Sequence, residues 1–263
     1  MVVLSEVCRG GYPAERSQNH FANDFTRARL YSECEVIHTD LKPHNIMVKI
    51  ENPAILDRDA RDEYFNLLPQ KVTNKGTIYL SRNNYGQFSK PTGIVQITDF
   101  GLSVSGKIPH SGCIQAEAYR APEVILDAGY SYSADIWSLG VMIWDLLEGR
   151  RLFDPIDKRT NDGYDESMHI AQLTGLLGSP PFEMLSSGQR TSMFYKPDGS
   201  LRHPELVPQD MKLENAVTRI SGREKAKFLE FAKKMIKWNP TERSTAKDLL
   251  KDPWLYEDYP SEM

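Results

Sequence analysis

Several features that would assign a chain to a specialised class are missing from these 263 residues. The three cysteines, Cys8, Cys34 and Cys113, are odd in number and widely spaced. They match neither a disulfide framework nor a zinc pattern, which favours a reducing compartment. The net charge is only −4, so the chain shows no basic footprint for nucleic acid. No apolar run reaches the roughly 18 residues of a membrane span, and no secretion signal is apparent. We therefore expect an intracellular protein, in the cytoplasm, the nucleus or both, that binds neither nucleic acid nor membrane.

Four motifs occur in a fixed order along the chain. The first, residues 36 to 48, is V-I-H-T-D-L-K-P-H-N-I-M-V, and T-D-F-G at 98–101 follows a strand-like run rich in β-branched residues. A-P-E at 121–123 and D-I-W-S-L-G at 135–140 come later. The set resembles the protein kinase family, whose catalytic loop has the pattern H-R-D-L-x-x-x-N. The resemblance covers about residues 36 to 256.

This resemblance implies a chemical role for four residues. Phosphoryl transfer depends mainly on positioning and on charge neutralisation. Asp40 would orient the attacking hydroxyl, because an aspartate is ordinarily ionised at neutral pH. Lys42 would contact ATP and neutralise the transferred phosphoryl group. Asn45 and Asp99 would hold Mg²⁺, which prefers oxygen ligands. The expected cofactors are therefore ATP and Mg²⁺. The expected substrate is a serine or threonine of a protein, since D-L-K-P resembles the serine/threonine class.

The resemblance also implies four supporting residues. His38 belongs to the catalytic loop, Asp135 would anchor that loop from below, and Arg243 would pair with Glu123. The residues alone leave two alternatives open. Asp135 also fits a plain carboxylate at a helix N-terminus, and Arg243 also fits a solvent-exposed arginine.

The implied fold is a protein kinase-like α+β fold, mainly the helical C-terminal lobe with a few short strands, its N-lobe absent or truncated. Residues 1 to 35 contain no G-x-G-x-x-G and no V-A-I-K, and no lysine precedes Lys42. The family places such a lysine in its ATP-binding lobe. We expect residues 1–35 to be a separate segment with a helix over 23–30, residues 36–256 to be the kinase domain, and residues 257–263 to be a tail.

A long insertion separates the first two motifs. Between Asn45 and Asp99 lie 53 residues, and we assign 49–92 to an insertion. The pattern predicts a helix over 54–68, a strand over 77–80 and a turn at residues 83, 84 and 86. A surface elaboration and a substrate-docking element both fit this composition.

At Thr39 the catalytic loop departs from the commonest family pattern, and this departure bears on the activation segment, residues 99–123. The arginine of H-R-D normally grips a phosphorylated residue there, so we expect phosphate on Ser103, Ser105 or Ser111 not to be required. The H-T-D form and I-Q-A-E-A-Y-R-A-P-E at 114–123 resemble SR-protein kinases, especially fungal ones. This implies a substrate rich in Arg-Ser. A threonine usual near Ala116, which bonds the catalytic aspartate, is absent.

Periodicity predicts the remaining helices. They are a short helix over 122–126, a buried helix over 136–147 capped by Ser133 and ended by Gly149, a helix over 168–177, and an amphipathic helix over 223–238. A last helix starts after Thr245. Residues 182–215 are predicted to be loop-rich.

The missing nucleotide lobe leaves two other readings of the function open. The chain fits a catalytically inactive, kinase-like binding module, or a fragment of an active kinase. In either case we expect exposed apolar surface where the lobe would sit, and a partner that covers it.

Overall fold

The computed structural model describes residues 2–3, 14–50, 52–80, 82, 95–157 and 163–259. Within these ranges the α-helices, numbered α1 to α10, are Ala14–Glu33, Ala54–Phe65, Pro122–Ile125, Tyr132–Glu148, Glu166–Leu177, Phe182–Ser187, Thr191–Phe194, Leu213–Ala216, Gly222–Ala232 and Ala246–Leu249. The strands, numbered β1 to β9, are Val2–Val3, Val36–Ile37, Ile46–Val48, Gln70–Thr73, Gly76–Tyr79, Val95–Ile97, Val104–Ser105, Ile156–Asp157 and Gly163–Tyr164. None of these helices is long and apolar enough to span a bilayer.

Helix α4 lies at the centre of the core. Fourteen of its 17 residues are buried, as its all-round apolar pattern predicts. It ends at Gly149, whose φ of 67° glycine adopts without strain. The cap predicted at Ser133 is wrong. The N-cap is Ser131, where the backbone is extended, so the cap lies two residues earlier than predicted and the helix begins at Tyr132.

Helix α1 packs aromatic side chains against the last third of the chain. The ring centroids of Phe21 and Trp254 are 5.6 Å apart, and those of Phe25 and Phe231 are 5.5 Å apart. The helix predicted over 23–30 is confirmed, and it extends in both directions. Its buried apolar stripe is narrow, Phe21, Phe25 and Ala28, which explains why the surrounding polar residues obscured it. This helix shares one core with the residues after position 36.

Short antiparallel strands position the ends of two motifs. β3 lies between β1 and β6, and Ile46 is opposite Ile97. Because the pairing is antiparallel, Asn45 and Asp99 come at the same end of this pair of strands. The strand predicted over 93–98 is confirmed over 95–97, and positions 93–94 lie outside the described residues. A second pair, β2 with β7, joins the start of the first motif to the activation segment.

The insertion between β3 and β6 lies on the surface. Helix α2 has no buried residue, and the β4–β5 hairpin is exposed almost throughout. Arg82 hydrogen-bonds the carboxylates of Asp62 and Glu63, which holds the chain after the hairpin against the helix. The predicted helix ends at residue 65 rather than 68, and the predicted strand forms over 76–79. The turn predicted at 83–86 lies outside the described residues.

The carboxyl-terminal elements follow the predictions with shifted ends. Helix α5 begins at 166 rather than 168, because Asp165 caps it. Helix α9 ends at 232 rather than 238. Even so, Met235 is buried and packs close to Gly140, where an added Cβ would lie 2.9 Å from the Met235 Cβ. Thr245 caps α10 as predicted. Residues 182–215, predicted to be loop-rich, also contain the short helices α6, α7 and α8.

Candidate active site

The first motif forms a loop between β2 and β3, and the buried side chain of His38 supports this loop from inside the protein. The His38 Nε2 lies 3.0 Å from the Thr98 carbonyl oxygen, and the Asp40 N–H points to His38 Nδ1 at 3.3 Å. A carbonyl oxygen only accepts, so Nε2 carries the proton and Nδ1 accepts. Burial lowers the pKa of His38 below its ordinary value, in keeping with this neutral tautomer. The imidazole therefore fixes the loop beside β6.

Asp40 is held by two neighbours in the same loop. The Lys42 Nζ lies 2.6 Å from Asp40 Oδ2, and the Asn45 Nδ2 donates to the same oxygen at 3.1 Å and to the Asp40 carbonyl at 2.9 Å. The 3₁₀ turn Pro43–Asn45 brings these groups together. The hydroxyl expected near Ala116 is absent, but the aspartate is still fixed by a cation and an amide.

Asp99 leaves β6 in a left-handed conformation, with φ of 67°. The preceding Thr98 N–H donates to the Asn45 carbonyl at 2.9 Å, so the strand pairing brings the two predicted metal ligands into the same neighbourhood. Asp99 is exposed. The Phe100 ring packs edge-on against His38 and Tyr31, each at 4.8 Å between ring centroids. These ring contacts hold the D-F-G turn against the catalytic loop.

Asp135 accepts two hydrogen bonds from the catalytic loop. The His38 N–H donates to one carboxylate oxygen at 2.7 Å and the Thr39 N–H to the other at 3.0 Å. Burial raises the pKa of Asp135 to about 6, and the two amides oppose that rise. Of the two readings left open by the sequence, this geometry matches the anchoring one.

Thr39 takes a conformation that β-branched residues rarely adopt, with φ of 69°. Besides its bond to Asp135, its Oγ1 donates to the Leu102 carbonyl at 2.8 Å, and its own carbonyl accepts the Gln115 N–H at 2.9 Å. The threonine thus joins the catalytic loop to both ends of the activation segment, where the family commonly has an arginine.

Gln115 is the residue that the sequence reasoning missed. Its Nε2 donates to the Ala134 carbonyl at 2.8 Å and to Ser138 Oγ at 2.9 Å, and its Oε1 accepts the Ala121 N–H at 2.8 Å. A buried glutamine needs such partners, and here they are helix α4 and the A-P-E turn. The sequence carried no signal beyond the position of Gln115 in the I-Q-A-E stretch, because two of its partners, Ala134 and Ser138, lie 19 and 23 residues further along the chain.

Glu123 and Arg243 form a buried ion pair. Both side chains are at most 1% exposed, and the two carboxylate oxygens accept from the guanidinium at 2.7 and 2.6 Å. The guanidinium also lies 4.9 Å from the ring centre of Trp137. The pair joins the end of the activation segment to the loop before α10, and the solvent-exposed arginine considered from sequence is not what the structure has.

The oxygen atoms of Asn45 and Asp99 are suitable ligands for a hard cation. The Nδ2 of Asn45 is committed to Asp40, which leaves Oδ1 as the amide atom available to a ligand. No described residue donates a hydrogen bond to the Asp99 carboxylate. An amide oxygen and a carboxylate are ligands that Mg²⁺ accepts, and Mg²⁺ needs only one or two protein groups.

The mainly helical lobe and the order of these groups correspond to a kinase-like fold. A family model described as "Protein kinase domain" matches residues 14–255. The chain belongs to the protein kinase family. The match begins at residue 14, so it includes helix α1, whereas the sequence alone placed the start of the domain at position 36.

Individual proteins that are similar to this chain are also named as protein kinases. A serine/threonine protein kinase of Aspergillus fumigatus, AFUB_078980, is 33% identical over 231 residues, which cover 86% of this chain and 54% of that protein. The serine/threonine-protein kinase SRPK of Physarum polycephalum is 28% identical over 86% of this chain and 57% of that protein. A solved kinase domain, PF14_0431, superposes with a TM-score of 0.68 at 22% identity over 97% of this chain and 70% of that chain. The kinase fold is therefore confirmed. The chain spans about half the length of these curated relatives.

Proposed function

We propose that this chain carries the catalytic half of a protein serine/threonine kinase, which transfers the γ-phosphate of ATP to a hydroxyl of a protein substrate. The observation that carries the proposal is the placement of Asp40. It is bonded to Lys42 and Asn45, and Asp99 follows the strand that pairs with the one after Asn45. The names of the relatives support the same reaction class.

Each of these residues has a separate task in this proposal. Asp40 accepts a hydrogen bond from the substrate hydroxyl, orients its oxygen and receives its proton as the oxygen becomes a nucleophile. Lys42, already 2.6 Å from that carboxylate, lies beside the reacting groups and neutralises charge on the phosphoryl group. Asn45 and Asp99 would hold Mg²⁺, which supplies charge neutralisation to the phosphates when bound.

The remaining contacts keep these groups in place. Asp135 accepts hydrogen bonds from the backbone N–H groups of residues 38 and 39. These bonds fix the backbone next to Asp40 and thereby help to position its carboxylate. Gln115 and Thr39 hold the activation segment against the same loop. Positioning of this kind contributes about 7–11 kcal/mol to such reactions when it is accurate.

We infer an Arg-Ser-rich protein as the substrate, from the similarity to a relative named SRPK. We also propose that a nucleotide-binding lobe, present in the same protein or supplied by a partner, covers the exposed D-F-G face. Cys34 and Cys113 are free thiols, which supports a site of action in the reducing cytoplasm or nucleus.

Calorimetric titration with ATP and Mg²⁺ tests this function, with Asp99→Ala as the matched variant. We expect binding that requires Mg²⁺ and is lost in Asp99→Ala, because that substitution removes a charged ligand. A screen of phosphate transfer to arginine-serine peptides then tests the substrate class, with Asp40→Ala as the inactive control.

The alternative to this proposal is a second function, that of an inactive, kinase-like binding module. It predicts no heat with millimolar ATP for either the parent chain or the variant. Equal binding by the parent chain and Asp99→Ala would contradict the proposed metal site.

A further inference from the structure

A pocket of about 150 Å³ lies behind the catalytic loop, and none of the proposed catalytic steps uses it. It opens where the end of α1, the first turn of α4 and the start of α10 meet. Small side chains at this junction leave the space between the three elements. Its lining includes Ala28, Ser32, Val36, Asp135, Ile136, Arg243 and Ala246.

The size and walls of this pocket suit one aromatic ring. A cavity of roughly 150 Å³ holds a benzene-sized molecule when its walls are apolar. Ala28, Val36, Ile136 and Ala246 supply such walls. Ring-sized ligands gain most from this kind of burial, and a few polar groups at one side then fix their orientation.

Asp135 is the polar group with spare capacity. Each of its carboxylate oxygens accepts one backbone N–H from the catalytic loop, whereas a carboxylate can accept about four hydrogen bonds. The acceptor that holds the catalytic loop therefore has room for another donor.

Asp135, and not Arg243, gives the pocket its charge preference. A guanidinium has five N–H groups, and those of Arg243 donate to Glu123, Ser133, Lys237 and Trp238. All five are used, and its positive charge is matched by Glu123. The charge of Asp135 has no such counterpart among its described hydrogen-bond partners, so the pocket favours a cation over an anion.

We propose that this pocket binds a small aromatic cation, a single ring with an ammonium group, which seats its ring among the apolar walls and donates to Asp135. The ligand would thereby touch the residue that holds His38 and Thr39. The lining of the pocket does not include the proposed phosphotransfer groups. Binding at this site can therefore be tested independently of the kinase reaction.

Titration of the full chain with benzylamine, followed by amide NMR, tests the site, and benzoate serves as the probe of opposite charge. We expect saturable shifts for benzylamine that include the His38 and Thr39 amides. We expect at least about tenfold weaker binding for benzoate. Equal binding of the two probes, or shifts that exclude both amides, would overturn the assignment.

Ser32 offers a matched pair of variants. Its side chain lines the pocket, and among the described residues its one hydrogen bond is to the Arg29 carbonyl of its own helix, at 3.2 Å. Ser32→Leu fills the space and should weaken benzylamine at least about tenfold, whereas Ser32→Ala should bind as the parent chain does. A parent chain and Ser32→Ala that do not bind, or a Ser32→Leu that binds equally well, would show that the pocket is not the site.

Discussion

At the scale of single residues, Asp24 stands out because it is buried without a partner. It is 1% exposed, and within the described part of the chain neither carboxylate oxygen has a hydrogen bond. Burial raises its pKa to about 8, and the charge of Arg27 opposes the rise only in part. An aspartate in the unfolded chain ionises near pH 3.8. Between these values the folded protein keeps a proton that the unfolded chain has lost, so the free energy of unfolding falls as pH rises.

We predict that Asp24→Leu stabilises the protein by ~1–3 kcal/mol near neutral pH, since it removes an unpaired polar group from the core. The parent chain should lose about 1 kcal/mol between roughly pH 7 and 8.5, and the variant should not. This window lies above the raised pKa values of Asp135 and Asp145, each about 6. Urea unfolding at both pH values measures the effect. Asp24→Asn, also uncharged, should remove the same pH slope, and a slope that persists in both variants would rule Asp24 out as its source.

The ion pair of Arg243 gives a second prediction at this scale. Arg243→Ala leaves the Glu123 carboxylate buried with no cation, which costs ~3–5 kcal/mol of stability. Denaturant unfolding should show this as a lower midpoint with an unchanged slope. Arg243→Lys is the control, because it keeps the charge but loses the two-pronged geometry and should fall between the two. A midpoint for Arg243→Ala equal to that of the parent chain would contradict the burial of the pair.

At the scale of elements, the activation segment is shaped by the chain itself. β7 pairs with β2, and Gln115 ties the segment to helix α4. These contacts are made by backbone and side-chain groups that the unmodified chain carries.

We therefore predict that the triple variant Ser103→Ala, Ser105→Ala and Ser111→Ala keeps phosphotransfer within about twofold of the parent chain. Gln115→Ala should lose at least about tenfold, because small displacements of catalytic groups have large effects. Assays of peptide phosphorylation on both variants measure this. If the triple variant lost activity and Gln115→Ala kept it, the activity would depend on the serines and not on Gln115, which would contradict this prediction.

A comparison of the predicted and observed elements shows which features of the fold follow from the sequence. The burial of α4, the strand before Asp99 and the capping role of Thr245 follow from local patterns, and the structure has them. The site was placed by motif order, and the short strands bring its parts together. Gln115 was out of reach because its partners lie up to 23 residues away, and no periodicity records a contact of that kind. The ends of helices differ from the predicted positions, as at α4, whose N-cap is Ser131 and not the nearby Ser133.

At the scale of the whole molecule, apolar surface remains open beside the site. Phe100 is 40% and Leu102 66% exposed, although both belong to the turn that follows Asp99. Both side chains are exposed to solvent, and exposed apolar patches of this kind promote association.

We predict concentration-dependent self-association in sedimentation velocity, and Leu102→Ser should reduce it. Met193→Ser, which changes an equally apolar and 54% exposed side chain on α7, is the control and should leave it unchanged. A parent chain that stays monomeric at all concentrations would show that this apolar surface does not drive self-association and does not require a covering partner.

The two amides held by Asp135 have a consequence for the order of folding. Each of these bonds joins residues more than 95 positions apart in the chain, with separations of 97 and 96. Contacts so distant form late, after the loops between them have closed. The catalytic loop should therefore gain its shape only when α4 has docked. The His38 and Thr39 amide protons should then exchange with deuterium only through global opening, and a partly folded chain would have no working site.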